Sequence, residues 1–350
     1  MSGSELHPMP WSAHPWVTEG QGRIRFGASV TGRAPLPDWP THLALARALE
    51  DLGFDSHWLP DHPVYMPDCW TTFAALAVTT TRIRLGPLVA CVGYRSPANL
   101  ARQAADVDRL SGGRLVLGLG CGHFTREFSE LGLPFPPAPE RLRQLEETIE
   151  VLHGLWGTVP GSDRPPDKSF AEPFLGLSGP PPLTYRGTTH QIDGGLLRHG
   201  PVQRPRVPVL IAGGGERTTL RQVAQYADAS NFGIGMPGSP RAADEVRRKL
   251  ATLRRHCEDR GRPVDSVLPT HFLNLIVLAA TPAALAAKRA ALPPIYRDAD
   301  GFFGTPDDAI AFYRPLVEAG LRYFIFQFAT YDDLETARLL AERVFPALDS

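Results

Sequence analysis

The chain is poor in cysteine: four in 350 residues (Cys69, Cys91, Cys121 and Cys257), with no CxxC pair. That scarcity excludes a disulfide framework and a structural zinc site, and it suits a reducing, cytoplasmic compartment. Buried free thiols are the favoured reading, with a spatial encounter of Cys69 and Cys91 as the alternative. An excess of charge is also lacking, since 36 basic side chains face 37 acidic ones. Such a balance leaves no electrostatic footprint for nucleic acid or for an anionic membrane surface. No apolar run approaches the ~20 residues that span a bilayer. The opening MSGSELHPMPW lacks the basic region and apolar core of a signal peptide. The expectation is a soluble chain. No glycine-rich loop carries a Walker lysine, and no GxSxG elbow occurs. His57, His62, His123 and His190 show no ligand spacing, so no metal site is expected.

What is present is apolar residues at 43%, enough for a sizeable core. Residues 1–22 are rich in Pro, Gly and polar side chains and read as an arm outside the fold, which then occupies 23–350. From Arg23 a rhythm sets in. Strand-like runs at 24–30, 54–59, 83–90, 114–120, 207–212, 230–234, 272–279 and 322–328 alternate with helical spacing at 40–52, 70–80, 97–110, 139–156, 217–227, 240–259, 306–319 and 331–345. Eight strands, nearly all followed by a helix, predict an α/β fold of parallel βα units closed as a (β/α)8 TIM barrel. A doubly wound open sheet is the rival. ALEDLGFDSHWL (48–59) and LVEAGLRYFIFQ (316–327) share a helix end, a glycine at the same step and a strand. Repeated units of this kind are what a barrel requires. The Pro/Gly-rich stretch 157–182 cannot build a core. It reads as an insertion after the fourth βα unit, extended to 195 by a short hairpin at 183–195. It is either a surface excursion or a lid over the strand C-termini.

The run LVLGLGCGHF (115–124) resembles a nucleotide loop on first sight. A methyltransferase motif usually has an acidic residue where Gly118 stands and a glycine where Phe124 stands. A dinucleotide fingerprint requires a third glycine at position 123, which is His, and a helix start directly after. Both readings are disfavoured by these departures. The remaining reading is a strand ending in small residues, against which a flat ligand lies, opening into the loop HFTREFSELGLPF. A second glycine run, VLIAGGGERTTLR (209–221), passes from strand to helix. Its backbone N–H groups and the helix N-terminus suit an anion; a tight packing turn is the alternative.

Five segments, 48–62, 79–122, 137–156, 201–231 and 303–328, together resemble the bacterial luciferase-like superfamily of flavin- and deazaflavin-dependent enzymes, in family order over most of the chain. The resemblance implies a (β/α)8 barrel with insertions. It also implies roles. Asp61 and His62 match an Asp-His pair beside the flavin ring, with His62 as an acid/base or charge-stabilising group. Leu88-Val89 falls where F420-dependent members carry a non-proline cis peptide behind the ring. Cys91 stands where relatives have a cofactor-contacting hydroxyl. Cys121 and Gly122 match cofactor contacts. His123 takes the place of a catalytic glutamate and Arg126 that of an asparagine, departures from the sugar-phosphate dehydrogenases of that branch. Gly214, Gly215, Arg217 and Thr218 match the cofactor-phosphate site.

The resulting expectation is an oxidoreductase that uses coenzyme F420 to transfer hydride to or from a small organic substrate. The alternative is an FMN-dependent monooxygenase served by a separate reductase. More remote readings are a non-catalytic cofactor-binding protein and a methyltransferase. The expected partners are a small-molecule substrate, a second copy of the chain in a homodimer, and a flavin or F420 reductase, with no nucleic acid and no membrane.

Overall fold

The computed structural model describes residues 12–30, 37–157, 182–197, 199–232, 240–297 and 299–350. Its strands are β1 (Arg25–Val30), β2 (Ser56–Leu59), β3 (Arg84–Pro87), β4 (Ala90–Cys91), β5 (Leu117–Gly120), β6 (Leu183–Arg186), β7 (Gln191–Gly195), β8 (Val209–Ala212), β9 (Ala229–Phe232), β10 (Leu268–Leu278), β11 (Phe302–Gly304) and β12 (Tyr323–Phe328). Apart from the β6–β7 hairpin, every pairing is parallel. The order runs β3-β2-β1-β12-β10-β9-β8-β5-β4, with β11 an extra strand beside β10. β3 and β4 are one barrel strand interrupted at Leu88-Val89. The bridge Leu85↔Leu115 joins β3 to the approach to β5 and closes the ring. Eight parallel strands therefore form a barrel, and the eight predicted runs map onto them in order.

The barrel closes around Trp58. Its indole lies over Gly27 of β1 and Gly86 of β3. A Cβ at Gly27 would stand 2.8 Å from the indole nitrogen, and one at Gly86 would stand 2.7 Å from the six-membered ring. Glycine is what lets one large ring fill the space between three strands. Below it Tyr323, Ile325, Val116, Leu210 and Leu268 pack in one cluster with Trp16 and Val17. Those last two residues correct the expectation of an arm outside the fold. Residues 14–19 include the short helix Pro15–Thr18, capped by His14, and Trp16 is only 1% exposed. Arg25 donates to the Trp16 carbonyl at 2.7 Å and stands over both the Trp16 and Tyr323 rings. The segment plugs the N-terminal end of the barrel, because an unplugged end would leave that apolar layer in water.

Other differences are local. The predicted helix 331–345 is a helix Leu334–Leu339, a π-turn Leu340–Val344 and a last turn Phe345–Asp349. Helices at Thr125–Glu130, Pro282–Ala291 and Pro294–Arg297 and the strand β11 were not foreseen. The hairpin was, and it clasps the outer face of the helix Ala138–Leu155. There Glu147 accepts from the N–H groups of Thr188, Thr189 and His190 at 2.7–2.9 Å. The hairpin is therefore not over the strand C-termini, while residues 158–181 of the lid reading lie outside the described residues. No described helix is long and apolar enough to cross a membrane.

Three histidines, His42, His57 and His271, are buried between barrel and helices, and His153 is half-buried beside them. Burial holds His57 and His153 down to about 3, and His42 and His271 down to about 4. His42 and His57 face each other at 3.1 Å. Because each folded-state value lies below the unfolded one, the unfolded chain binds these protons first as pH falls below about 6.5. Their contribution to stability is thus complete above that pH and drains away down to the folded values. Each adds up to about 1.4 kcal/mol per pH unit. In urea unfolding between pH 7 and 5, His271→Leu is expected to flatten the pH dependence by that amount relative to the parent. An unchanged slope would remove His271 from the account.

Candidate active site

Parallel βα units gather their ligands at the C-terminal ends of the strands. At that rim the predicted residues fall on four consecutive barrel strands: Asp61 and His62 after β2, Leu88, Val89 and Cys91 at the β3–β4 break, Cys121 and Gly122 after β5, and 214–218 after β8. The Leu88-Val89 peptide is cis, as the resemblance implies. Both side chains are half-buried and, with Ala212 and Phe272, form an apolar ledge above the barrel interior.

Asp61 is buried, and its carboxylate is consumed inside the protein. Arg95 grips both oxygens, with Nη2 at 2.9 Å from Oδ1 and Nη1 on Oδ2. The Cys91 N–H donates to Oδ2 at 3.2 Å, and the Cys69 thiol lies 3.6 Å from Oδ1. Asp61 thus ties β2 to the segment behind the ledge and leaves no oxygen for a ligand. The Cys91 thiol packs beneath Gly122, and burial pushes it up to about 12, so it stands as a neutral packing group. All four cysteines are free thiols.

The glycine run after β5 has a packing reason of its own. A Cβ at Gly120 would meet Val89 Cγ2 at 2.6 Å. One at Gly122 (φ +76°) would meet Cys91 Sγ at 2.7 Å and the Phe128 ring at 3.0 Å. The space that a side chain at these glycines would take is filled by Val89, Cys91 and Phe128. Gly120→Ala is accordingly expected to displace Val89 and to cost about 1–3 kcal/mol in thermal or urea unfolding, by overpacking. A neutral result would show that Val89 has room to give.

The stretch after Gly122 is also no plain loop. It forms the helix Thr125–Glu130, which carries Glu127 inward. Glu127 is fully buried. Its Oε2 receives the Tyr94 hydroxyl at 2.7 Å and lies 2.8 Å from His62 Nδ1, while Oε1 meets no hydrogen-bond partner among the described residues. Burial, and next its bond to Glu127, push the Tyr94 hydroxyl far up, so it serves as a fixed donor. With a carboxylate as its partner, the His62 Nδ1 carries the proton and Nε2 is the free nitrogen. The imidazole is about a third exposed. Phe124 and Tyr65 stand beside it, with ring centroids 6.2 Å (His62–Phe124) and 5.7 Å (Tyr65–Phe124) apart.

Glu127 and Tyr94 were missed from sequence. The available signal was the stripe Phe124, Phe128 and Leu131 at helical spacing, with Glu127 beside Phe128. His123 is exposed and makes no side-chain hydrogen bond to a described residue. Arg126 is 71% exposed and paired with Glu130 at 2.7 Å. Neither is brought onto His62.

At the far end of this arc, the helix Thr219–Tyr226 begins without a side-chain cap. None of the N–H groups of 214–218 donates to another described backbone carbonyl. Cβ atoms at Gly213 and Gly215 would stand 3.1 and 3.0 Å from the Thr219 side chain. The glycines therefore serve packing and at the same time leave backbone donors without a partner among the described residues. Arg217 is exposed beside them. These free N–H donors and a guanidinium suit a phosphate, and the apolar ledge suits one face of a flat ring. Among the described residues, no cluster of three or more His, Cys, Asp or Glu suits a metal ion.

Residues 15–322 match the family model described as luciferase-like monooxygenase. The F420-dependent glucose-6-phosphate dehydrogenase of Amycolatopsis mediterranei is 24% identical over 336 residues, covering 85% of this chain and 91% of that protein. The 4-hydroxyprotoasukamycin monooxygenase of Streptomyces nodosus subsp. asukaensis is 27% identical over 258 residues, 69% of this chain, and the match spans only 62% of its length. Among solved structures, the coenzyme F420-dependent tetrahydromethanopterin reductase of Methanopyrus kandleri superposes with a TM-score of 0.71 at 17% identity, over 93% of this chain and 99% of that one. The EDTA monooxygenase of Chelativorans sp. BNC1 gives 0.71 at 19%, over 93% of each. At these identities the structures attest the fold, while the family match reaches from the barrel plug to the approach to the last strand. The chain is an enzyme of the luciferase-like monooxygenase family, which comprises F420- and flavin-dependent oxidoreductases and monooxygenases.

Proposed function

We propose that the protein is a coenzyme F420-dependent oxidoreductase that transfers hydride between the deazaflavin and a small organic substrate. The observation that carries this reading is the His62–Glu127–Tyr94 chain beside the Leu88-Val89 ledge. It is an oriented acid/base group at the edge of an apolar shelf, on the same arc as a turn rich in free N–H donors. The curated F420-dependent relatives from Amycolatopsis and Nakamurella support the F420 reading, since they match along 91% and 96% of their own lengths.

The donor turn 214–218 would hold the cofactor's phosphate, and Leu88, Val89 and Ala212 would support its ring. The bound cofactor supplies the hydride chemistry. The chain itself orients His62 through Glu127 and presents Nε2 to the proton that accompanies hydride transfer, with the Phe124 ring beside the imidazole. Asp61 and Arg95 hold the ledge from behind.

Fluorescence titration of the pure protein with F420 and with FMN tests the proposal. Quenching of F420 at micromolar concentration, weakened about tenfold by Arg217→Ala as befits the loss of one charge-assisted phosphate contact, is the expected result. Tight FMN binding with no response to F420 would replace this reading with the flavin monooxygenase.

A further inference from the structure

The barrel end opposite the candidate active site also carries chemistry. We propose that it holds a second binding site, for a small phosphate-bearing anion. A cleft of about 650 Å³ opens there between the segment after the N-terminal plug, the helix Pro240–Glu258 and the entries to β10 and β12. Four guanidinium groups line it, from Arg23, Arg247, Arg254 and Arg322, against a single carboxylate, Asp265. Counting Asp244, which pairs with Arg247, the cleft still has two more positive charges than negative; the chain as a whole has a net charge of −1, so this surplus is a feature of the place and not of the composition.

Two of the arginines are not spent elsewhere, and a third is spent only in part. The side chains of Arg23 and Arg254 make no hydrogen bond or ion pair to another described residue. Arg247 meets only Asp244, in an exposed pair at 2.7 Å. Arg322 donates from Nη1 to the carbonyls of Val317 and Leu321, both at 2.8 Å, which fixes its head and leaves its other N–H groups free. Beneath them the floor is apolar and firm, with Leu253 1% and Val267 4% exposed.

The adjoining cleft of about 460 Å³, which shares Gly20 and Arg23, makes the contrast. Its three arginines, Arg23, Arg25 and Arg84, face three acids, Glu19, Asp55 and Asp349. Arg84 is closed onto Glu19 at 2.6 Å. Charge there is already matched within the fold; in the larger cleft it is not. Unmatched guanidinium groups recognise phosphate oxygens through paired N–H donors, and the volume is that of a site for a nucleotide-sized ligand. The site is independent of the proposed function, because it lies at the N-terminal ends of the strands.

Calorimetric titration of the full chain with inorganic pyrophosphate and with ADP, at low ionic strength, decides the matter. Binding is expected, with Kd raised about tenfold or more by Arg254→Glu and by Arg23→Glu, since each exchanges an attractive charge for a repulsive one. Both side chains are exposed, so neither substitution disturbs the core. Arg109→Glu, an exposed arginine on another helix, and Arg217→Ala, at the opposite end of the barrel, are expected to leave that Kd unchanged. Three outcomes overturn the proposal: no binding of either probe, equal weakening by Arg109→Glu, or weakening by Arg217→Ala with Arg254→Glu silent. The last would assign the anion to the turn 214–218 instead.

Discussion

Asp61→Ala is expected to cost about 3–5 kcal/mol of stability, because it strands the Arg95 guanidinium in a buried place with no counter-charge. For a chain of this size that corresponds to a fall in Tm of roughly 10 °C. The Asp61 side chain is 2% exposed and that of Arg95 14%, so water cannot substitute for the lost carboxylate. The expected loss has two separable parts. Removing both charges together, as in Asp61→Leu with Arg95→Met, restores most of the stability, since much of the single-variant penalty is the uncompensated charge. It does not restore the bond from Oδ2 to the Cys91 N–H, which holds the segment behind the ledge. The double variant is therefore expected to unfold near the parent temperature and still to bind F420 more weakly. Thermal unfolding and F420 titration of the three proteins separate the two effects. A double variant that binds like the parent would reduce Asp61 to a purely structural ion pair.

This division of labour was only half visible in the sequence. The barrel was legible because each βα unit writes its own signal: a short apolar run, a helical stripe and a glycine stop such as Gly53 (φ +81°) or Gly320 (φ +114°). The helix Pro282–Ala291 escaped because it buries none of its residues and so shows no apolar stripe, although Thr281 caps it through the Ala284 N–H. The helix Thr125–Glu130 escaped because its stripe is only three residues long and its start has no side-chain cap. The plug escaped because Trp16 sits in a polar, proline-rich stretch, and only the open barrel end explains why it is buried. At the candidate site, local sequence placed the predicted residues at the C-terminal ends of neighbouring strands. It did not show which way each side chain turns. Asp61 and His62 are neighbours, yet one faces Arg95 behind the rim and the other faces outward beside Phe124. Glu127 lies 65 residues from His62, and nothing short of the closed barrel brings them together.

That contact supports the prediction with the largest effect. His62→Ala is expected to slow hydride transfer, followed through the absorbance of the bound cofactor, by about 10²–10⁴-fold, the range for loss of a positioned acid/base group. F420 affinity should change little, because the phosphate donors and the ledge are untouched. Glu127→Ala keeps the imidazole and removes what orients it. Its expected loss is smaller, about ten- to a hundredfold in kcat, with KM nearly constant. Imidazole nitrogen shifts give a readout that a merely structural role would not move. In the parent, His62 is expected as the Nδ1–H tautomer, set by the buried carboxylate 2.8 Å away, and in Glu127→Ala as a mixture of both. Tyr94→Phe leaves that carboxylate with His62 as its one remaining described donor. It is expected to preserve the tautomer and to lower kcat only a few-fold, in keeping with the modest net worth of one hydrogen bond. The ordering His62→Ala, then Glu127→Ala, then Tyr94→Phe is the signature of a chain in which each residue acts through the next. Equal losses at Tyr94 and Glu127 with an unchanged tautomer would show that the buried carboxylate supports the loop around it and does not orient the imidazole.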